Sequence, residues 1–176
     1  MLTLKALAGE DAPAYLPALS ALLLDSLEHG AAVGFMLPLP ASDARAYWQD
    51  VFAAVAAGRR VLLVAEADGQ VAGSVQLALA EQNNGQHRAE VCKMLVHSSW
   101  RRRGIARQLL QALEDHARHH QRTTLVLDTR QGDAAEHLYQ SVGYTRAGEI
   151  PDFARSSSGE LHATVLYYKL LPLDKA

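Results

Sequence analysis

"AEVCKMLVHSSWRRRGIARQLLQALED", residues 89–115, changes its period part-way along. Up to Val96 the apolar residues fall as they do in a strand. From Ile105 onward they recur as Ile105, Leu109 and Leu113, with Ala106 and Leu110 beside them, as on one face of a helix. Between the two lie Arg101, Arg102, Arg103 and Arg107, four positive charges within seven residues. A helix start carries partial positive charge and favours Asp or Glu by about 0.3–1 kcal/mol, so arginines there oppose the helix unless an anion offsets them. A strand, a cationic turn and a helix therefore stand in sequence, and the turn asks for an anion.

Three explanations compete. Nucleic acid is disfavoured, because the run is single, lacks stacking aromatics, and sits in a chain of net charge −2. A plain solvated helix end is the second. The third is a phosphate-bearing cofactor. Gly104 lets backbone approach a ligand, Ala106 is small, first-turn N–H groups are free, and arginines at the rim could neutralise the remaining charge. The phosphate loops G-x-x-x-x-G-K-[ST] and G-x-G-x-x-G are both absent. What stands here is R-x-x-G-x-A, Arg101 to Ala106.

Upstream, residues 60–97 read as a three-strand antiparallel meander, with Asp68-Gly69 and Asn84-Gly85 as its turns. Before it, residues 2–7 alternate as a first strand. Leu16, Leu19, Leu23 and Leu27 mark a helix over 11–28. Residues 29–40 are a loop broken by Gly and Pro, with Phe35 and Met36 exposed. Ser42 is expected to cap a second helix reaching about Gly58, with Tyr47, Val51, Ala54 and Val55 on its buried face. Downstream, a helix over 104–119 leads into a short buried strand at 123–129. A helix at 133–143, a loop at 151–160 and a last strand at 162–170 follow. The fold class is mixed α/β: a mostly antiparallel sheet flanked by helices, with one parallel crossover through 104–119.

The 176 residues suit one domain, 1–176, with one ordinary core. Cys92 is the single cysteine, so no intrachain disulfide can form, which suits a reducing compartment such as the cytoplasm. It falls in an apolar alternating segment and reads as small core filler. No signal peptide and no membrane span are expected, since the apolar runs are far shorter than about 18 residues. His116 and His120 share a helix face without an accompanying carboxylate motif, so no metal is expected.

The R-x-x-G-x-A turn, the strand before it and "AEHLYQSVGY" (135–144) together resemble the GNAT N-acetyltransferase superfamily over about residues 60–150. In that family [QR]-x-x-G-x-[GA] holds the pyrophosphate of acetyl-coenzyme A, and the second segment matches A-x-x-L-Y-x-x-x-G-[FY]. One departure is Gly132, where many members carry a cofactor-contacting Asn. "HGAAVGFMLPL", "HRAEVCKMLV", "LDTRQGDAAEHLY", "YTRAGEIPDFA" and "GELHATVLYYK" resemble more closely the tabtoxin-resistance branch, which acetylates the amine of a β-lactam toxin. That branch shares the Gly132 departure.

The resemblance implies an acetyl-coenzyme A-dependent N-acetyltransferase acting on a small-molecule amine, with a homodimer as the assembly to test. Its cofactor site would comprise Met94, Leu95, Val96, Arg101, Arg102, Arg103, Gly104, Ile105, Ala106 and Arg107. Backbone N–H groups near Leu95 and Val96 would polarise the thioester carbonyl. Tyr139 matches the family's acid for the departing thiolate; by spacing alone, with Ala135, Leu138 and Val142, it is a core residue. Asp128 matches the residue that accepts the amine proton or anchors the ammonium; by position alone it could cap the 132–136 turn. Glu90 is the competing base, or a charged outward residue beside Arg88. Lys93 reads as solvent-facing. Gly34, Phe35 and Asp128 are the candidate acceptor contacts, with Pro151 to Ala154 as a further wall. Two rival functions remain: acetylation of protein lysines or N-termini, and a non-catalytic acyl-coenzyme A-binding module.

Overall fold

The computed structural model describes residues 1–172; the expected domain limit at 176 lies outside them. The chain runs β1 (Leu2–Leu7), α1 (Ala12–Glu28), α2 (Ala41–Ala56), β2 (Arg60–Ala67), β3 (Gln70–Leu79), β4 (Arg88–Val96), α3 (Ile105–His119), β5 (Thr124–Arg130), α4 (Ala134–Ser141), β6 (Thr145–Arg155) and β7 (Leu161–Leu170). One seven-stranded sheet has the order β1-β2-β3-β4-β5-β7-β6. β4 and β5 pair in parallel and every other neighbouring pair is antiparallel. The parallel crossover through α3 is where the change of period placed it.

"RVLLVA" in β2 shows how the sheet is held. Val61, Leu63 and Ala65 face one core, shared with α3 and α4. Leu62 and Val64 face another, shared with α1 and α2. A strand covered on both faces reads as a continuous apolar run rather than an alternating one. α3 buries Ile105, Leu109, Leu110, Leu113 and Ala117, the face its spacing predicts, and its last turn carries His116, Arg118 and His119 where cations suit the helix dipole.

Four local expectations are corrected. α2 starts after Pro40, whose fixed extended backbone flanks the first turn; Ser42 makes no cap and bonds to Asp43 instead. The buried face of α2 centres on Ala44, Trp48, Val51 and Phe52, because the large Trp48 and Phe52 rings reach the sheet. Asn84-Gly85 is not a tight hairpin turn: residues 83–85 form a short 3-10 turn inside a longer connection between Leu79 and Arg88. Residues 145–155 form β6, so Pro151 to Ala154 lie on an edge strand, at an irregularity between Ile150 and Ala154, and not in a loop. Edge position and bulging are what let Pro151 sit there.

β4 contains the feature that shapes the site. Its register on β3 slips between Ser74 and Gln76, opposite Leu95 and Cys92, and Lys93 has a positive φ of 52°. This is a β-bulge, which adds a residue and turns the strand. Ala89 and Val91 pack into the α3 core, whereas Leu95, which would share their face in a regular strand, packs into the α1–α2 core. The bulge has exchanged the faces. Gly73 fits the same place: a Cβ there would meet the Leu95 carbonyl oxygen at 2.8 Å, so only glycine allows β3 so close.

Candidate active site

The Arg-rich turn is built from backbone that few residues adopt. His97 leads into a 3-10 turn at Ser98–Trp100, Arg102 has φ 63° and Gly104 has φ 78°. A Cβ on Gly104 would meet nothing within 4 Å, so glycine serves the left-handed conformation here and leaves open space in front of α3. α3 has no side-chain cap and no acidic residue in its first turn. Its first N–H groups are therefore open to an anion.

The four arginines do not act alike. Arg101 donates to Val96 O (3.3 Å) and His29 O (3.5 Å), and Arg107 donates to Ser141 Oγ (2.9 Å) on α4. These two brace the turn against its surroundings. Arg103 lies over the Trp100 ring at 4.7 Å, and Arg102 makes no hydrogen bond among the described residues. All four are exposed, and Arg102 and Arg103 are the ones at the open helix end without a hydrogen-bond partner among the described residues. Ile105 is 3% exposed, so its side chain belongs to the core and only its backbone faces the turn.

Asp25 on α1 holds this turn from below. Its carboxylate accepts Ser98 N and Ser98 Oγ, each at 2.7 Å, with His97 and His29 at 3.8 and 3.4 Å. Burial works to raise its carboxyl, but the Ser98 hydrogen bonds and both histidines outweigh that and hold it below its ordinary value. Nothing in the sequence pattern distinguishes Asp25 from other helix acids.

β4 and β5 pair only from Arg88 to Glu90 against Thr124 to Val126. Beyond that they diverge, and a cavity of about 680 Å³ fills the gap. Glu90, Lys93 and Met94 line it from β4, Asp128 and Arg130 from β5, His29 to Gly34 from the α1–α2 loop, Tyr139 from α4, and Phe153 to Arg155 from β6. The structure thus brings Glu90, Asp128, Tyr139 and Gly34 to one cavity. It leaves Leu95, Val96, Phe35 and all of Arg102 to Arg107 off the lining, which the Arg-rich turn reaches through Arg101. His97 N–H donates to Ala72 O, so by strand alternation the N–H of Leu95 also points into β3 and that of Val96 points away. The Val96 carbonyl, which accepts from Arg101, is on the same outer side. Of the two expected amides, only that of Val96 faces the opening.

Asp128 does not cap α4. Asp133 does so, accepting Ala135 N at 3.0 Å, while Glu136 accepts Gly132 N at 2.8 Å. Asp128 Oδ2 instead lies 2.7 Å from the Oγ1 of the buried Thr164 on β7. Thr164 was not legible as a site residue, because only the β5–β7 register places it there. Tyr139 is 6% exposed, and its ring meets Tyr144 edge-on at 5.8 Å. Tyr139 is among the cavity's lining residues, and its hydroxyl makes no hydrogen bond among the described residues. Burial pushes its ionisation well above the ordinary range, so it stays a proton donor. Cys92 is half-buried and touches both the cavity and Arg60 (3.6 Å); burial pushes its thiol up, which keeps it from being a thiolate.

Two side chains depart from expectation. Phe35 is half-buried against Tyr47, ring centroids 5.1 Å apart, and is not exposed. Lys93 does not face solvent: the bulge carries it into the cavity, with Nζ 5.8 Å from the Phe35 ring centre. Among the described residues no three ligating side chains converge as a metal site would require, and no helix is long and apolar enough to cross a membrane.

The sequence profile of the Acetyltransferase (GNAT) family matches residues 24–144, which contain the α1 clamp, the bulged strand, the Arg-rich turn and Tyr139. The chain belongs to the GNAT acetyltransferase family. One curated relative, an uncharacterized N-acetyltransferase in the hisH–hisA intergenic region of Azospirillum brasilense, is 32% identical over 109 residues. That match spans 61% of this chain and 63% of the relative. The fold is also that of an N-acetyltransferase from Staphylococcus aureus Mu50 (TM-score 0.81, 23% identity, 98% and 99% of the two chains). It is shared by a Salmonella typhimurium protein solved with its cofactor acetyl-CoA (TM-score 0.76, 21% identity, 99% and 96%). The ribosomal-protein-alanine N-acetyltransferase of Brucella melitensis has it too (TM-score 0.77, 24% identity, 96% and 99%).

Proposed function

We propose that this GNAT protein transfers an acetyl group from acetyl-coenzyme A directly to the amine of a small molecule. The observation that carries the reading is the convergence of Asp128 and Tyr139 on one cavity, beside the open N-terminus of α3. Acetyl-coenzyme A is a substrate that supplies its acetyl group as a thioester. The turn suits its pyrophosphate: free helix N–H groups, unobstructed space at Gly104, and Arg102 and Arg103 without hydrogen-bond partners among the described residues.

Asp128, oriented by Thr164, accepts the proton that the amine must lose. Glu90, the last residue before the strands part, is the alternative base. The Val96 N–H is the donor for the carbonyl oxygen. Tyr139 gives its phenolic proton to the departing sulfur, and is restored by the proton that the base collected. A covalent acetyl carrier is not needed, and Cys92, kept protonated, is poorly suited to be one. Work in a reducing cytoplasm as a homodimer is part of the same proposal.

The resemblance of five segments to the tabtoxin resistance protein makes tabtoxinine-β-lactam the first acceptor to try. The test is release of free thiol from acetyl-coenzyme A against that β-lactam, amino acids, polyamines, aminoglycosides and a lysine peptide. Selective release with the β-lactam supports the toxin reading. Release with another small amine keeps the transferase and discards the toxin, and release only with the peptide makes the acceptor a protein. Tight acetyl-coenzyme A binding with no release on any amine would make the chain a binding module.

A further inference from the structure

Lys93 is the one cation in the cavity with no hydrogen-bond or ion-pair partner among the described residues. Arg130 is paired with Asp133 (3.6 Å), Arg155 donates to Gly159 O (2.9 Å), and Arg101 is spent on Val96 O and His29 O. Lys93 reaches the cavity through the bulge, in a positive-φ conformation that non-glycine residues rarely adopt, and such strain collects at functional sites. Its ammonium is positioned on the acceptor loop: it lies toward the Phe35 ring, and a Cβ on Gly34 would sit 3.4 Å from Nζ. The α1–α2 loop therefore buttresses this side chain.

Of the cavity's acids outside the Arg130 pair, Asp128 is on β5 and Glu90 is on β4 at the closed end of the splay, three residues before Lys93. A molecule that reaches from β5 to β4 beyond the closed end meets Asp128 on one wall and the unneutralised Lys93 ammonium on the other. We infer that Lys93 is a specificity-determining residue that receives an anionic group of the acceptor, so that the acceptor is an amine that also carries a carboxylate or similar acid. This rests on the acceptor-amine reading of the same cavity.

The matched probe is a set of free amino acids and their carboxamides, with a diamine as the acid-free control, assayed by thiol release with wild type, Lys93→Gln and Lys93→Arg. A charge-assisted hydrogen bond contributes about 1.5–3 kcal/mol, a factor of roughly 10 to 100. Wild type is expected to prefer the free acid over its amide by that factor in kcat/KM. Lys93→Gln should raise KM for the acid alone and bring the ratio near one, and Lys93→Arg should restore part of it. A loss of fold cannot imitate this pattern, since it would lower acid, amide and diamine together. Equal use of acid and amide by wild type, turnover of the diamine alone, or an equal fall on both acceptors in Lys93→Gln overturns the inference and leaves the transferase standing. Silence of wild type on every amine removes the transferase reading, and the inference with it.

Discussion

At Tyr139 a buried ring and a free hydroxyl meet in one side chain. Tyr139→Phe removes one hydroxyl and no hydrogen bond among the described residues. Turnover should fall by about 10²–10⁴-fold, the usual contribution of a positioned acid, with acetyl-coenzyme A affinity unchanged in calorimetry. Near-wild-type turnover would return Tyr139 to the core role that its spacing first suggests. Asp128→Asn and Glu90→Gln separate the two bases. The larger loss of kcat is expected for Asp128→Asn, because Asp128 is the one held by Thr164 while Glu90 is exposed. A reversed order in steady-state kinetics would transfer the role to Glu90. These proposed roles come only from the family motif, since periodicity puts Tyr139 in the core and position alone could make Asp128 a cap.

Among the elements, the turn before α3 joins two separate jobs. Arg101 and Arg107 hold it to the α1–α2 loop and α4, and Arg102 and Arg103 remain for an anion. Replacing Arg102 and Arg103 together by Glu should weaken acetyl-coenzyme A binding by about tenfold or more per residue, and by less at 1 M salt, where exposed charges are screened. Unchanged affinity at low salt would remove the pyrophosphate assignment. Asp25 fixes the same turn from α1. Its carboxyl is held below its ordinary value, so its contribution is present above about pH 4 and is lost as pH falls through the folded-state value. Asp25→Asn should cost about 1–3 kcal/mol at pH 7 by denaturant titration. The deficit should close as pH falls through the folded-state value; a deficit constant with pH would mean the charge is not what matters.

For the whole molecule, the sheet separates two cores, one under α1 and α2 and one under α3 and α4. Leu23→Ala and Leu110→Ala each empty a fully buried position, on opposite faces. Each should cost about 2–5 kcal/mol, and the double variant should show their sum within about 0.5 kcal/mol, since the two lie in separate cores. Marked non-additivity in calorimetric unfolding would mean that the cores communicate through the sheet. The α1, α3, β2, β3 and β5 spans were legible because hydrophobic period and turn residues are local signals. So was the crossover, because β4, α3 and β5 follow one another and parallel strands need such a connection. β6 was not legible: an exposed edge strand carries little apolar alternation, and Pro151 reads as loop. The sequence by itself determined the order of elements other than β6, the cationic turn and the family motif, all of which are written in contiguous residues. Only tertiary structure decided that Thr164 meets Asp128, that Asp25 holds Ser98, and that Lys93 enters the cavity. The first two contacts join residues 36 and 73 positions apart, and the third follows from a one-residue bulge, which exchanges the faces of a strand without changing its composition.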